Sequence, residues 1–446
     1  MTTGDERQRA TFLRRVLTLM TGVAIAQLVP ILASPLLTRL YSPSDFGTFA
    51  VYTSIAAFLG VAATGRYHMA IVLAKTGAEA RQIARLSLYV TFCLAAALMI
   101  VVLATASSLA AALGSPPVAP WLHLVPLAVL ATGVYETLKH CSLRRHNLRL
   151  LAFTRVVQGT SQAAAQLGMG VAALPFSGGL IAGSLAGQLI MTMTFARGLW
   201  RRDNLDEPRA TAPPLRQVAA RYARFPQFDL PNSLATGVGQ HLVVVLISHF
   251  VSASAVGFYS MARRLLTLPT RAALTSYADV LYVDLCESLR PPQILRCING
   301  HLIRLAAIGF VPFFLAIHLC RAYITPVLGN NWSGLDQYMY VLSVPAFLSI
   351  TFAPFANVLR VLERQHISMY LNLARTVGAC VAVYGAHAAG NTDGIRILVW
   401  LSASEIAAQT FNTLVISYQL DRRINFAVLG VAALAVTQFL YFEANL

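Results

Sequence analysis

The sequence predicts an all-α polytopic membrane protein with 12 transmembrane helices in two six-helix lobes around a central cavity, plus a possible thirteenth helix at the C-terminus. Of its 446 residues, 57% are hydrophobic and only 12% are charged, whereas a soluble domain carries about 25% charged residues. The apolar runs reach about 20 residues without alternating, which is the length of a membrane helix rather than of a barrel strand. A turn motif that occurs in both halves of the chain indicates the two lobes.

The two turn motifs are Ser-Pro-Ser-Asp-Phe-Gly at 42–47 and Ser-Ala-Ser-Ala-Val-Gly at 252–257. Gly47 aligns with Gly257, which follows it by 210 residues, close to half the chain length. Ser44 or Asp45 can cap the helix after the first turn, because an N-cap oxygen accepts a hydrogen bond from a free first-turn N–H group. An even number of predicted helices separates the motifs, so the lobes form a parallel repeat about an axis along the membrane normal. Such a repeat predicts a cavity between the lobes and a rocking motion about it.

The first lobe, 1–200, begins with a short basic segment and contains six predicted helices. The first apolar run continues through Pro30 and Pro35 without a cleavage site, so it predicts a helix rather than a secretion signal. The segment 114–117, Gly-Ser-Pro-Pro, predicts a turn after the third helix. In chain order, the predicted helices of this lobe span about 12–40, 44–73, 81–113, 118–140, 150–174 and 177–200.

The most polar stretch of the chain, 201–214, predicts a cytoplasmic linker over 201–224. The second lobe, 225–420, starts at Phe225-Pro226 and contains the other six helices. The apolar C-terminal segment, 421–446, contains the possible extra span at 424–442. In chain order, the predicted helices of the second lobe span about 227–250, 254–285, 297–328, 334–362, 365–389 and 392–420.

The distribution of Lys and Arg predicts a cytoplasmic N-terminus. With that orientation, every inner loop is basic, while the outer turns at 114–117, 175–178, 251–255, 329–334 and 390–394 contain neither residue. The same bias accounts for the net charge of +16, so the charge predicts no nucleic-acid partner. A thirteenth span would place the C-terminus outside.

The residues predict neither an enzyme nor a metal or cofactor site. The six cysteines are scattered without ligand spacing, so we expect free thiols. No metalloprotease, nucleophile-elbow or nucleotide-binding motif occurs in a suitable context. Transport energy would then come from an ion gradient, the membrane potential or the substrate gradient.

Five segments carry a resemblance to a known family: LTRLYSPSDFGTFA, GRYHMAIVL, FPQFDLPNSL, SASAVGFYSMARRLLTLP and LGNNWSGLDQYMYVLSVPAF. They resemble bacterial polysaccharide-biosynthesis and O-antigen flippases (Wzx-type) of the multidrug/oligosaccharidyl-lipid/polysaccharide exporter superfamily. The resemblance implies two six-helix lobes. It also implies flipping of an undecaprenyl-diphosphate-linked oligosaccharide from the inner to the outer leaflet by alternating access. One departure is His68, which follows Arg66-Tyr67 where the family commonly has an acidic residue.

The resemblance further implies a monomer in the lipid of a bacterial cytoplasmic membrane. It implies as partners a glycan polymerase and chain-length or export proteins that act in the synthesis of lipopolysaccharide or another surface polysaccharide. An ion-coupled small-molecule (multidrug) exporter of the same superfamily is the main alternative. A membrane glycan polymerase or ligase is the other alternative. That class of enzyme needs a sizeable outer loop, and all the predicted outer turns are short.

Charged and polar residues at membrane depth are candidate ligands, because a charge in lipid is costly and usually faces a cavity or a partner. Guanidinium groups suit phosphate oxygens, so a cationic path could hold the diphosphate. The alternatives are ion pairs within the protein, a core histidine, or arginine side chains that extend to the membrane surface. The candidate diphosphate- or sugar-binding residues are Arg39, Arg263, Arg264, Arg271 and His241.

A second group of residues predicts ion coupling or gating, since a carboxyl group in a low dielectric can carry a proton. Arg375 and Glu405 lie near mid-depth on consecutive predicted helices, so we expect them to pair, either as a structural lock or as a pair that opens during transport. Asp229 and Asp279 lie near the predicted inner ends of their helices, and Glu136 is a further acidic candidate.

Overall fold

The computed structural model describes residues 29–145, 147–172, 177–200, 213–267, 291–361, 364–391, 393–421 and 425–444. Within these ranges the secondary structure is helical and contains no strand. The chain divides into two compact units, Met1–Tyr41 with Thr48–His241, and Ser42–Gly47 with Leu242–Leu446. The prediction of an all-α polytopic fold is confirmed, while the predicted lobe boundaries stay a prediction.

The first unit contains most of the helices in the N-terminal half of the chain, and the second unit contains those in the C-terminal half. In chain order, the helices up to residue 250 are α1 (Val29–Leu40), α2 (Pro43–Ala62), α3 (Gly77–Ala112), α4 (Ala119–Leu122), α5 (Val125–Arg144), α6 (Leu148–Val171), α7 (Gly178–Trp200), α8 (Leu215–Arg221) and α9 (Leu230–Phe250). The later helices are α10 (253–267), α11 (Pro291–Leu328), α12 (Leu335–Val361), α13 (Gln365–Ala388), α14 (Gly394–Leu420) and α15 (Phe426–Ala444).

Membrane spans are recognisable by length and hydropathy. Among the described residues, six helices are long and apolar enough to cross a membrane, or seven if the bent pair of Pro116–Leu122 and Val125–Arg144 counts as one span. Three further helices, α6, α12 and α14, contain 24, 27 and 27 residues, against about 20 needed for the hydrocarbon core. The apolar part of α15, Phe426–Tyr441, is shorter than these spans.

Close helix packing in the first unit follows the small residues of α7, as the glycine-rich sequence 178–187 predicts. A Cβ atom on Gly183 would lie 2.6 Å from the Gln166 side chain, and one on Gly187 would lie 2.7 Å from that of Gln162. Both glutamines belong to α6, so the two glycines bring the backbones of α6 and α7 together. At the start of α7, Gly179 lies against the Tyr41 hydroxyl.

The two repeated turns use the same N-cap. Ser42 Oγ accepts a hydrogen bond from the Asp45 N–H group, and the Asp45 carboxylate accepts one from the Ser42 N–H group. This reciprocal pair is a capping box, so the cap is Ser42 and the assignment to Ser44 or Asp45 was wrong. In the second turn, Ser252 Oγ accepts from the Ala255 N–H group. The N-cap is therefore the first serine of each motif.

The two aligned glycines make reciprocal backbone contacts within the second unit. A Cβ atom on Gly47 would lie 1.8 Å from the carbonyl oxygen of Ala253, and one on Gly257 would lie 1.8 Å from the carbonyl oxygen of Pro43. Each glycine therefore meets the residue four positions before the other. Only glycine fits at these positions, because a side chain would overlap the opposite backbone.

Within the described residues, two predicted helices are broken. The second ends at Ala62 and is followed by a 3₁₀ turn at Tyr67–Ile71, because Gly65 and Arg66 have φ angles of +55° and +64°. The fourth is bent by 56° between α4 and α5, where Pro126 lies in the first turn of α5 and cannot donate a backbone hydrogen bond.

Candidate functional site

The break after α2 places an arginine in an unusual backbone conformation. Arg66 is the only non-glycine residue with a positive φ angle among the described residues, and this conformation costs an L-residue roughly 1–2 kcal/mol. The side chain is held, because Arg66 Nε donates to Asp229 Oδ2 at 2.6 Å. Asp229 lies in the helical turn just before α9, so this ion pair ties the end of α2 to the start of α9.

A cluster of ionisable side chains lies beside this bend. The Glu136 Oε2 atom is 4.0 Å from His68 Nε2 and 3.8 Å from His140 Nδ1. Lys139 Nζ donates to the same oxygen at 2.6 Å. Glu136, Lys139 and His140 share one face of α5 because they are three and four positions apart. His68 belongs to the 3₁₀ turn after α2 and completes the cluster from outside α5.

The two histidine rings are fixed by hydrogen bonds at Nδ1. His140 Nδ1–H donates to the carbonyl oxygen of Glu136 at 2.8 Å, which identifies the tautomer with a lone pair on Nε2. His68 Nδ1 is hydrogen-bonded to the Thr64 hydroxyl. The ring centroids are 4.6 Å apart. His68, Glu136 and His140 each offer one atom that could bind a metal ion, and these three atoms lie within 4.8 Å of one another.

His68 carries no charge at neutral pH. Burial lowers the pKa of His68 to about 3, and repulsion from His140 when it is protonated, and from the charges of Arg66 and Lys139, acts in the same direction. The ring is therefore a neutral acceptor or ligand throughout the physiological range.

These side chains line a cavity of about 570 Å³ within the first unit, a size typical of small-molecule sites. Its wall combines the ionisable cluster with neutral hydrogen-bonding groups and aromatic rings. The neutral polar and aromatic members include Phe49, Tyr52, Thr132, Gln158, Gln162 and Gln188. Amides, hydroxyls and aromatic faces together are suited to bind a polyhydroxylated molecule.

The second unit contains a separate polar cluster. Arg375 Nε and Nη2 each lie 2.7 Å from Glu405 Oε2, so the predicted pairing of the two residues is observed. Gln409 Nε2 donates to the same oxygen at 3.4 Å. Arg263 is half-buried in α10, where it donates to the Tyr259 hydroxyl at 3.4 Å, and Glu405 is one of the charges that act on it.

The other predicted site residues lie outside the cavity wall of the first unit or outside the described residues. Arg39 is exposed on α1, His241 is half-buried in α9 and Arg264 is half-buried in α10. Arg271 and Asp279 lie outside the described residues.

Three residues of the cluster, His68, Lys139 and His140, were not predicted as site residues. The pattern Glu136-x-x-Lys139-His140 is visible in the sequence as one face of a helix. The position of His68 depends on the break after α2, where Gly65 is the local signal, since glycine is common at helix C-termini.

Comparison with known proteins gives consistent matches. A family model described as "Polysaccharide biosynthesis protein" matches residues 36–337. The succinoglycan biosynthesis transport protein ExoT of Rhizobium meliloti is 24% identical over 382 residues, which are 82% of this chain and 72% of ExoT. The teichuronic acid biosynthesis protein TuaB of Bacillus subtilis is 24% identical over 184 residues, which are 40% of this chain but only 37% of TuaB.

Solved structures show the same fold. The lipid II flippase MurJ in an inward closed conformation matches 98% of this chain and 97% of its own, with a TM-score of 0.66 and 12% identity. An inward-facing multidrug resistance transporter of the MATE family, in the MOP superfamily, matches 92% of this chain and 95% of its own, with a TM-score of 0.62 and 14% identity. The relatives whose names state an activity are transporters or flippases, in agreement with the prediction that the chain is not an enzyme.

Proposed function

Because the chain belongs to the family of polysaccharide biosynthesis proteins, we propose that it translocates an undecaprenyl-diphosphate-linked oligosaccharide from the inner to the outer leaflet of a bacterial cytoplasmic membrane. The family match over residues 36–337 carries this proposal. Two further findings support it: the membrane fold matches that of a lipid II flippase, and ExoT is a biosynthesis transport protein for a polysaccharide. The cytoplasmic N-terminus, the monomeric state and the partnership with a polymerase and export proteins belong to the same proposal.

The cavity of the first unit supports a glycan substrate. Gln158 and Gln162 offer amide donors and carbonyl acceptors, and a sugar hydroxyl needs one of each. Gln188 offers its carbonyl oxygen, since its amide nitrogen donates to Thr132 Oγ1 and to the Ala128 carbonyl oxygen. The wall also carries Arg66 and Lys139, whose cationic groups are paired with carboxylates in this structure. A phosphate accepts hydrogen bonds from a guanidinium as a carboxylate does, so a diphosphate bound at Arg66 would compete with Asp229.

The diphosphate-binding residues remain proposals. Arg263 and Arg264 are the strongest, because both are half-buried in α10 and a guanidinium group suits phosphate oxygens. Arg39, Arg271 and His241 are additional proposed ligands. The pairs Arg375–Glu405 and Arg66–Asp229 are candidates for contacts that break and reform as access alternates, with Asp279 as a further coupling residue.

The test is deletion of the gene in its own host, followed by expression of the wild-type chain or of variants. Surface polysaccharide and lipid-linked oligosaccharide are both quantified. We expect the deletion to remove surface polysaccharide and to accumulate the lipid-linked precursor, and the wild-type chain to reverse both effects. The Arg263→Ala/Arg264→Ala variant should fail, while Arg396→Ala should restore both, because Arg396 is exposed near the start of α14. Full activity of the double variant at normal expression would remove these arginines from the proposal.

The alternative is an ion-coupled exporter of small molecules, which the likeness in fold to multidrug transporters favours. It predicts that deletion changes drug susceptibility and leaves the lipid-linked precursor at its normal level. The same strains therefore distinguish the two functions.

A further inference from the structure

We propose that His68, Glu136 and His140 form a binding site for a divalent transition-metal ion such as Zn²⁺, with an open coordination position that faces the cavity of the first unit. Nothing in the sequence pattern predicts this site, since its ligands come from a helix face and from the irregular turn after α2. The site goes beyond the proposed function, because metal binding can be measured whatever substrate the protein carries.

The donor atoms fit such an ion. Two imidazoles and one carboxylate are a common ligand set for zinc with one open position, and imidazole favours Zn²⁺ over Mg²⁺ or Ca²⁺. Ligand atoms about 2.0–2.1 Å from a tetrahedral ion lie about 3.3 Å from each other. The three candidate atoms already lie within 4.8 Å of one another. Small side-chain rotations therefore suffice to close the site.

The surroundings of the ligands resemble the outer shell of a metal site. A metal-binding histidine usually donates its other ring N–H group to a carbonyl or carboxylate, which orients the ring. His140 does this through Nδ1, which donates to the Glu136 carbonyl oxygen at 2.8 Å. His68 Nδ1 is held by the Thr64 hydroxyl. His68 Nε2 is therefore available for a ligand and lies 4.0 Å from Glu136 Oε2. His140 would bind either through Nε2 or by giving up its Nδ1 hydrogen bond, because the nitrogen that lies 3.8 Å from Glu136 Oε2 is Nδ1.

Lys139 is the competitor for the metal ion. Its ammonium group lies 2.6 Å from Glu136 Oε2 and places a cation at the carboxylate oxygen nearest to the two histidines. A metal ion would have to displace this ammonium group, which can move away because the lysine side chain is long and flexible. Removal of the Lys139 charge should therefore strengthen metal binding, whereas a merely structural cluster would show no such effect.

A bound ion would change what the cavity can hold. His68, Glu136 and His140 all line the cavity, together with Arg66 and Lys139. An ion with three protein ligands retains at least one position for water or for an anionic oxygen. The wall would then present a Lewis acid beside two cationic side chains, an arrangement suited to an anionic group.

The experiment uses the full-length protein, purified in detergent and stripped of metal with a chelator. Zn²⁺ affinity and stoichiometry are measured by calorimetry and by competition with a chromogenic chelator, with Mg²⁺ and Na⁺ titrated in parallel. We expect one Zn²⁺ per chain, with no comparable binding of the other two ions. Glu136→Gln, His68→Gln and His140→Gln should each weaken binding at least tenfold. His123→Gln is the matched control, since His123 is exposed in the same unit.

Lys139→Met keeps the test decisive if a histidine variant fails to fold. It should bind Zn²⁺ at least threefold more tightly than the wild-type chain. Absence of stoichiometric Zn²⁺ binding would overturn the proposal, as would unchanged affinity in the three ligand variants. Equal affinity of Lys139→Met and wild type would also contradict it, because the ammonium group and the metal ion share one carboxylate oxygen.

Discussion

Substitution of Gly47 by alanine tests the reciprocal contact between the two repeated turns. The added Cβ atom would lie 1.8 Å from the Ala253 carbonyl oxygen, whereas real Cβ contacts essentially never fall below 3.0 Å. The two backbones must therefore separate by at least 1.2 Å, the difference between these distances. Neither partner can rotate away, because the atom that blocks the methyl group belongs to the backbone.

The expected cost follows from overpacking, which destabilises a well-packed region by about 1–3 kcal/mol. Alanine is also a better helix former than glycine by about 1 kcal/mol, so part of the cost is offset. Gly385→Ala is the matched control, because Gly385 lies inside α13 and a Cβ atom there would meet nothing within 4 Å. This control should be neutral or slightly stabilising.

The two glycines also predict non-additivity. Gly257→Ala should cost about as much as Gly47→Ala, since its Cβ atom would lie 1.8 Å from the Pro43 carbonyl oxygen. Both methyl groups push apart the same two helix starts. Once one substitution has separated the two helix starts, the second substitution requires less further separation. The double variant should therefore be destabilised by clearly less than the sum of the two single effects.

Thermal unfolding of the purified variants measures these differences. A loss of 1 kcal/mol lowers the midpoint by about 2–4 °C for a unit of some 200 residues. We expect Gly47→Ala and Gly257→Ala each to unfold several degrees below wild type and below Gly385→Ala. Equal midpoints for Gly47→Ala and Gly385→Ala, or strictly additive effects in the double variant, would refute the reciprocal contact.

Two further predictions concern the ion pairs. Asp229→Asn removes the charged partner of Arg66 and should destabilise the protein by about 1 kcal/mol; the effect is small because the Asp229 side chain is 37% exposed. Thermal unfolding measures this loss. An unchanged unfolding midpoint would show that Arg66 keeps its backbone conformation without the ion pair. Glu405→Gln should impair complementation because it breaks the pair with Arg375. The exchange Arg375→Glu/Glu405→Arg should restore complementation if the pair only holds α13 and α14 together, whereas continued failure would indicate that Glu405 itself carries a proton or contacts the substrate.

Helix positions could be predicted where turn residues mark the ends. The sixth predicted helix, 177–200, differs by one residue from α7 (Gly178–Trp200). The pairing of Arg375 with Glu405 could also be predicted, because two opposite charges at similar depth on consecutive helices have few other partners.

Gly65 is the local sign of the bend at Arg66, but a single glycine in an apolar run equally indicates close helix packing. No proline marks the bend, and the left-handed conformation accompanies an ion pair with Asp229, 163 residues away. The clustering of His68 with Glu136 and His140 depends on that bend. A sequence pattern gives the depth and face of a helical residue, but it does not give the position of a side chain on an irregular turn.

The central claim, flipping of a lipid-linked glycan, is tested most directly in proteoliposomes. The purified chain is reconstituted with the lipid-linked oligosaccharide that accumulates in the deletion strain, and a membrane-impermeant glycosidase is added outside. With the protein present, we predict that the inner-leaflet lipid also becomes cleavable over time. In protein-free liposomes, and with the Arg263→Ala/Arg264→Ala variant, cleavage should stop once the outer leaflet is exhausted. Cleavage that stops at the same level with folded, fully reconstituted wild-type protein would contradict the proposed function.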